Sequence, residues 1–446
     1  MTTTLPHPVT DARDGEDLSV WPASTRVAPH GDLTVGGVSL AELAERFGTP
    51  VYLLDEDEVR GRCRAYRQAF PDAEILYAAK AFLCRAMAHW VREEGLGLDV
   101  CSRGELELAV TTGFPPEQMV LHGNAKSPDE LDAALRLGVG RIVIDSTAEI
   151  ARIAALVPQG ARQKVLLRIA PGIAAGAHPA IRTGTVDQKF GLASTDGSAQ
   201  HAVARVLEQP RLELVGLHCH LGSQITSVKP YVQAVRRLVG MLSWARQVHG
   251  VTLPELDLGG GHGIAYRPGE TALDIRALAV RAQAELHSAC TTVDLPVPRL
   301  TLEPGRAVVG PAGVVLYRVL SVKRTGRHTF VAIDGGMSDN PRPALYGAQY
   351  APRLIGRVGS AELQPVNIVG RHCEAGDVLA SGALLPSDIR PGDLLGVPAA
   401  GAYQVSMASG YNLVGRPPVV AVTGGTARLL VRRESLADLH HRDIGL

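Results

Sequence analysis

The chain has 446 residues, enough for two domains, and its 46% apolar and 20% charged content is that of an ordinary globular protein. Lysine plus arginine equals aspartate plus glutamate at 45 each, so no basic surplus points to nucleic acid or to an anionic membrane. No apolar run is long enough to span a bilayer, and residues 1–30 lack the basic-then-apolar plan of a signal peptide.

Residues 1–25 are polar and rich in Thr, Asp and Pro, and are expected to form a flexible arm. Residues 33–38 predict a strand and 39–45 a short helix, with Ser39 and Glu42 at capping-box spacing. Residues 51–54 predict a further strand. Eight apolar strand candidates then follow at 75–79, 98–101, 119–122, 141–144, 165–169, 214–220, 255–259 and 299–303. Amphipathic stretches at 105–112, 127–137, 148–156, 231–248 and 272–288 separate most of them, and Ser127 with Glu130 forms a plausible cap. Eight strand–helix alternations imply a closed parallel (β/α)8 barrel. An open doubly wound sheet is the alternative, but no GxGxxG follows an early strand. After residue 312, short strands at 314–321, 329–333 and 394–397 are joined by Gly/Pro/Asp loops. The expected organisation is therefore an arm (1–25), an N-terminal segment joining the β domain (26–48), a barrel (49–311) and a mostly β C-terminal domain (312–446). The strand near residue 35 is expected to complete that β domain.

Active sites of such barrels lie at the carboxyl ends of the strands. Strand one ends on Lys80, which can snorkel into solvent or serve as a desolvated amine that condenses with an aldehyde. Strand six ends in His218-Cys-His220-Leu-Gly-Ser223, strand seven in Gly259-Gly-Gly261-His-Gly263, and strand eight in Glu303-Pro304-Gly305-Arg306. The glycine run is either a tight turn or a loop whose backbone N–H groups approach a phosphate. His220 is either a core histidine or a ring lying flat on a cofactor. Glu303 is either an ion-pair partner of Arg306 or a carboxylate that keeps a heterocyclic nitrogen protonated. Taken together, the lysine, histidine, phosphate loop and glutamate describe a pyridoxal phosphate site. His218-x-His220 also resembles a metal-binding pair, but it falls on strand six and no further ligand set follows, so no metal is expected.

The six cysteines are scattered without a CxxC pair, which suits free thiols in a reducing cytoplasm. Cys373, inside His372-Cys-Glu374-Ala-Gly-Asp377, is either structural or able to exchange protons with charged neighbours. Arg342 and Tyr346, four residues apart, could clamp a carboxylate, or Arg342 could simply be solvated. Tyr403 follows a strand.

At these residues the chain resembles the fold-type III, pyridoxal phosphate-dependent decarboxylases from about residue 35 onward, and within them the branch acting on diaminopimelate, especially its actinobacterial forms. The motifs are YAAKAF (77–82), HGNAKS (122–127), DQKFGL (187–192), HCHLGSQI (218–225), DLGGGHGIAY (257–266), EPGRAVVG (303–310), MSDNPRPALYGAQY (337–350), HCEAGD (372–377) and GAYQVSMASGYN (401–412). The resemblance implies that Lys80 carries the cofactor, that His220 stacks on its ring, and that Ser223, Gly261, the 303–306 turn and Tyr403 hold it. It implies that Arg306, Arg342 and Tyr346 grip a distal carboxylate, with Tyr403 also at the substrate. Cys373 would donate a proton and Glu374 would meet the distal amine, both from the other subunit of a homodimer. The implied reaction is decarboxylation of meso-2,6-diaminopimelate to L-lysine and CO2, the last step of lysine biosynthesis. Relatives acting on ornithine, arginine or carrier-bound glutamate are the alternative, and a regulatory homologue would need neither Lys80 nor Cys373. Two departures stand out: Ala375 replaces a usual serine, and MASGYN replaces an MSS-type run.

Overall fold

The computed structural model describes residues 17–176, 184, 188–360 and 362–445, and divides into two units. Asp187 of the DQKFGL motif lies outside the described residues.

One unit comprises residues 62–264 and 271–307. Its eight strands are Glu74–Ala78, Gly97–Val100, Met119–Leu121, Arg141–Ile144, Gln163–Ala170, Leu212–His218, Glu255–Asp257 and Arg299–Leu302. Each pairs in parallel with the next, and strand eight pairs with strand one, so the sheet closes into the expected barrel. The strands are almost uniformly buried, which is why they read as continuous apolar runs rather than alternating ones. All eight predicted strands reappear, with ends displaced by two residues or fewer. Helix Pro128–Leu137 begins with a complete Ser127–Glu130 capping box and stops at Gly138, which takes the left-handed conformation at φ 78°.

The amino ends of the strands are tied together by charge. Arg141, the first residue of strand four, donates to Glu74 of strand one at 2.6 and 2.5 Å and to Glu255 of strand seven at 2.8 Å. Arg299 of strand eight reaches the same two carboxylates. Burial alone would raise the Glu74 carboxyl, but the two arginines outweigh it and hold the group low.

The other unit comprises the described residues up to 61, residues 265–270 and residues from 308 onward. Its main sheet is built on the long strand Gly313–Arg324. Val51–Asp55 pairs antiparallel with that strand and parallel with Val419–Thr423. The N-terminal strand that completes the β unit is therefore this one. The predicted 33–38 strand instead folds into a small separate sheet: Leu33–Val35 pairs with Arg26–Val27 and, across the Gly36-Gly37 turn, with Val38–Ser39. Residues 49–61 accordingly belong to the β unit rather than to the barrel. Helix Leu40–Phe47 follows, with Ser39 Oγ accepting from the Glu42 N–H. Only this half of the expected capping box forms.

Residues 1–16 of the expected arm lie outside the described residues. The rest is not an arm. Val20 and Trp21 are buried in the β unit's core with Leu33, Leu40, Val51, Leu53 and Leu316. Truncating Trp21 removes a large buried ring, so Trp21→Ala is expected to destabilise the protein by about 3–5 kcal/mol. A thermal unfolding scan would show this as a lowered midpoint; a solvated arm would leave the midpoint unchanged.

Candidate active site

Lys80 sits in a short 3-10 turn, Ala79–Ala81, directly after strand one. Its Nζ lies 3.3 Å from Asp99 Oδ2, and its side chain remains 38% exposed while Asp99 is fully buried. The amine is therefore held by a charge behind it and open in front. Cys101 Sγ is 3.7 Å from the other Asp99 oxygen. Burial and then the Asp99 charge push this thiol far up, which leaves it an inert neighbour.

Glu303, directly after strand eight, is buried. His122 follows strand three, and its Nε2 is 2.7 Å from Glu303 Oε1. His218 ends strand six, and its Nε2 is 3.4 Å from Glu303 Oε2. The two imidazoles meet edge to face with centroids 4.9 Å apart. Asp257 ends strand seven beside them. Burial and then the Glu303 charge push its carboxyl well up. Burial would do the same to Glu303, but His122 and His218 outweigh it and hold that carboxyl well below its usual range. The two carboxyl groups are thus pushed in opposite directions, Asp257 toward its protonated form and Glu303 toward its charged one.

These four side chains could also be read as a metal cluster, since their ligand atoms lie within 4.8 Å of one another. Ligands of a tetrahedral ion at about 2.0–2.1 Å stand roughly 3.4 Å apart. The 2.7 Å contact between His122 and Glu303 is too close for an ion to lie between them. The cluster is held by close side-chain contacts around Glu303.

His220 is neutral, because burial and then the Lys80 charge depress its pKa well below the usual value. The Gly260 N–H donates to its Nδ1 at 3.2 Å, which fixes the ring. A Cβ on Gly260 would stand 2.1 Å from the Glu303 carbonyl oxygen, and one on Gly261 (φ 88°) 2.1 Å from the Gly222 carbonyl oxygen. Close packing against neighbouring strand ends therefore demands glycine at both positions. Tyr231 anchors this run by donating to the Gly260 carbonyl at 2.9 Å, and Tyr66 Oη lies 2.7 Å from His262 Nδ1. Arg306 donates to Ser223 Oγ at 2.8 Å.

The barrel residues fit pyridoxal phosphate. A partly exposed amine, a neutral fixed imidazole, a loop free of side chains and a buried anion meet on one face of one barrel. Glu303 supplies the buried carboxylate of that set, with His122 Nε2 2.7 Å from its Oε1.

In the β unit, Arg342 is buried and donates to Tyr350 Oη at 2.5 Å. Its guanidinium lies over the Tyr266 ring at 4.6 Å and the Tyr350 ring at 5.7 Å. Gln404 also donates to Tyr350 Oη, at 3.1 Å. The tyrosine that touches Arg342 is thus Tyr350; Tyr346, expected four residues on, is half-exposed at the end of the short helix Arg342–Tyr346. Tyr403 is half-buried with φ 59°, a conformation that non-glycine residues rarely adopt. Of the six cysteines, Cys373 alone is exposed, and Glu374 beside it is exposed too. Their loop is pinned from behind. The Asp377 carboxylate accepts from the N–H groups of His372 (2.9 Å) and Met337 (2.6 Å), while the His372 ring reaches Ser338 and Asn412 at 2.8 and 3.0 Å. Ala375 is itself exposed, so the departure from serine falls outside this pinning.

Residues 56–310 match the family model described as "Pyridoxal-dependent decarboxylase, pyridoxal binding domain". The chain belongs to this family of decarboxylases. Pyridoxal phosphate is its cofactor. The chain is 54% identical, over 96% of its length and 96% of the relative's, to a diaminopimelate decarboxylase of Actinosynnema pretiosum. It is 47% identical to one from Mycobacterium tuberculosis, over 94% and 97% of the two chains. A solved diaminopimelate decarboxylase from M. jannaschii in complex with L-lysine superposes with a TM-score of 0.89 at 32% identity, covering 95% and 98% of the two chains.

Asp99, His122 and Asp257 are the barrel residues that reading the sequence missed, and Tyr266, Tyr350 and Gln404 those of the β unit. The signal for the first three was present: each lies inside or at the end of a predicted strand.

Two buried histidines make this decarboxylase's stability depend on pH. Burial lowers His218 and His262 from 6.5 to about 4. Both rings are neutral above pH 6.5 whether the chain is folded or not, so their stability is fully present there. Between pH 6.5 and 4 the unfolded rings take up protons and the folded ones do not. Each histidine then costs up to about 1.4 kcal/mol per pH unit. Denaturant midpoints are expected to fall steadily from pH 6.5 toward 4; a flat profile would contradict the neutral assignment.

Proposed function

We propose that this decarboxylase converts meso-2,6-diaminopimelate to L-lysine and CO2, the last step of lysine biosynthesis, as a cytoplasmic homodimer. The observation that carries the substrate is Arg342. It is a buried cation whose partners among the described residues are aromatic rings and a phenol, and none of them is a carboxylate. A buried guanidinium without an anion favours a ligand that brings one. Diaminopimelate brings a second carboxylate.

When bound, pyridoxal phosphate supplies an aldehyde for the substrate amine and a ring that accepts the electron pair released with CO2. The chain's residues do the rest. Lys80, oriented by Asp99, would hold the cofactor and return to it as the product leaves. His220, neutral and fixed by Gly260, would present its face to the ring. Glu303 would keep the ring nitrogen protonated. Ser223, Gly261, Pro304, Gly305, Arg306 and Tyr403 would hold the remainder of the cofactor. Arg342 with Tyr346, Arg306 and Tyr403 would grip the distal end of the substrate, so that only one of its two chemically similar ends reaches Lys80. Cys373 would deliver a proton to the carbon that lost CO2, and Glu374 would bind the distal ammonium. Their exposure supports a role at the partner subunit's site. No described helix is long and apolar enough to cross a membrane.

The test is CO2 release from purified protein with diaminopimelate, lysine, ornithine and arginine. Turnover of diaminopimelate alone is expected, and preference for a diamino acid lacking the second carboxylate would overturn the reading. Arg342→Ala should cost about 2–4 kcal/mol in kcat/KM for diaminopimelate, the range for breaking a buried charged pair, with the cofactor's visible absorbance intact.

The shared site makes its own prediction. Lys80→Ala and Cys373→Ala homodimers should each be nearly inactive. Co-expressed with two tags, mixed dimers carry one doubly damaged site and one intact site. Random assortment makes half the dimers mixed, so the unfractionated population should recover about a quarter of wild-type activity. Purified mixed dimers as inactive as their parents would place both residues in one chain's site or remove Cys373 as donor.

A further inference from the structure

The barrel holds three polar side chains around Glu303 that the reaction as described does not use: His122, His218 and Asp257. They arrive from the ends of strands three, six and seven and are all buried. Burying a carboxylate normally favours its protonated form. Asp257 is the second buried carboxyl group of this cluster, and its charge is disfavoured by that of Glu303. Two imidazoles oppose protonation at Glu303. They stand on the Glu303 side, with His122 the nearer at 2.7 Å and His218 at 3.4 Å. The edge-to-face contact between the rings holds each against the other. The wider surroundings do not offer a substitute. Lys80 is paired with Asp99, whose other oxygen is 3.8 Å from His122 Nε2. Arg168 lies 3.6 Å from Asp145. His220 is neutral, the Cys219 thiol is pushed up by burial and stays neutral, and Arg141 is committed to Glu74 and Glu255 at the amino ends of the strands.

We propose that His122 is a positioning residue of this enzyme: with His218 it clamps the Glu303 carboxylate, and through that carboxylate it governs how firmly the cofactor's ring nitrogen holds its proton. This rests on the role given to Glu303 above. Without His122, Glu303 loses its nearest partner, takes up a proton more readily, and the carboxylate loses its orientation. The ring nitrogen then has a weaker acceptor.

The experiment compares wild type, His122→Leu, His122→Gln, Glu303→Gln and the His122→Leu/Glu303→Gln double variant. Four readouts apply: the pH titration of the bound cofactor's visible absorbance, the affinity of the apo protein for pyridoxal phosphate, kcat and KM. His122→Leu is expected to shift the absorbance titration, weaken cofactor binding and lower kcat by about 10- to 100-fold, the usual cost of removing a supporting partner, with KM little changed. His122→Gln, which keeps an N–H within reach of Glu303, should restore most of the titration, the cofactor affinity and kcat. In the Glu303→Gln background, adding His122→Leu should change little, because the two residues act as one unit. If Glu303→Gln moves the titration and kcat while His122→Leu moves neither, the proposal fails and the Glu303 reading survives. If Glu303→Gln moves neither, the Glu303 reading fails and this proposal with it. Should His122→Leu not fold, His122→Asn, polar but too short to reach Glu303, takes its place: the same shift and loss support the proposal, and an unmoved titration and kcat overturn it.

Discussion

An anion buried inside a protein must be compensated by partners that share its burial, and in this barrel that requirement falls on Glu303. Its compensation comes from His122 and His218, on strands three and six, while Glu303 itself ends strand eight. Strands three and eight are separated by two others in the sheet order. At about 4.8 Å between neighbours, an open sheet would hold their ends roughly 14 Å apart. Contacts of 2.7 and 3.4 Å exist because the sheet closes and its strand ends face one another across a filled interior. Closure and the buried charge therefore depend on each other. The architecture that places the carboxylate also makes it tolerable.

The two ends of the barrel use charge differently. At the amino ends, Arg141 and Arg299 meet Glu74 and Glu255 as complementary full charges with short hydrogen bonds. That network stabilises the barrel and has little left to offer a ligand. At the carboxyl ends, His218 Nδ1, Asp257 Oδ2 and Glu303 Oε1 are buried without aligned hydrogen bonds among the described residues. Unsatisfied polar atoms in a core carry a cost unless something completes them. A heteroaromatic cofactor with a protonated ring nitrogen is a suitable completion for one of these atoms. The asymmetry restates, in hydrogen bonds, the rule that one face of such a barrel gives stability and the other chemistry.

Much of this was legible in the sequence, for reasons that also set the limit. Buried parallel strands must be apolar on both faces, so the eight runs stood out, and the strand-end rule then led to Lys80, His220, Gly261 and Glu303. Asp99, His122 and Asp257 lay within or at the end of those runs, yet each reads as an ordinary polar residue of a strand. Their meaning lies in a meeting of residues 122, 218, 257 and 303, and sequence spacing carries no trace of that. Choosing residues 33–38 as the strand completing the β unit failed differently. Val51–Leu54 carries no alternation because both its faces are buried, so it resembled the start of the barrel. Tyr346 was paired with Arg342 on their four-residue spacing and on the family resemblance. The chain instead leaves the short helix after Tyr346 and returns Tyr350 to the guanidinium.

Selecting one end of a molecule whose two ends are nearly alike requires a group that recognises the end left unreacted. Arg342 is suited to this because aromatic faces orient its plane without neutralising its charge. A ligand with a distal carboxylate completes the ion pair; one without it leaves a buried cation unpaired. A site built to bond a polar group rejects analogues lacking it far more strongly than a hydrophobic pocket rejects a missing methylene. Decarboxylation removes the carboxylate at the reacting end and leaves the distal one in place. Under the proposed function, L-lysine keeps the carboxylate that Arg342 would hold, whereas lysine offered as substrate has no second carboxylate to give it.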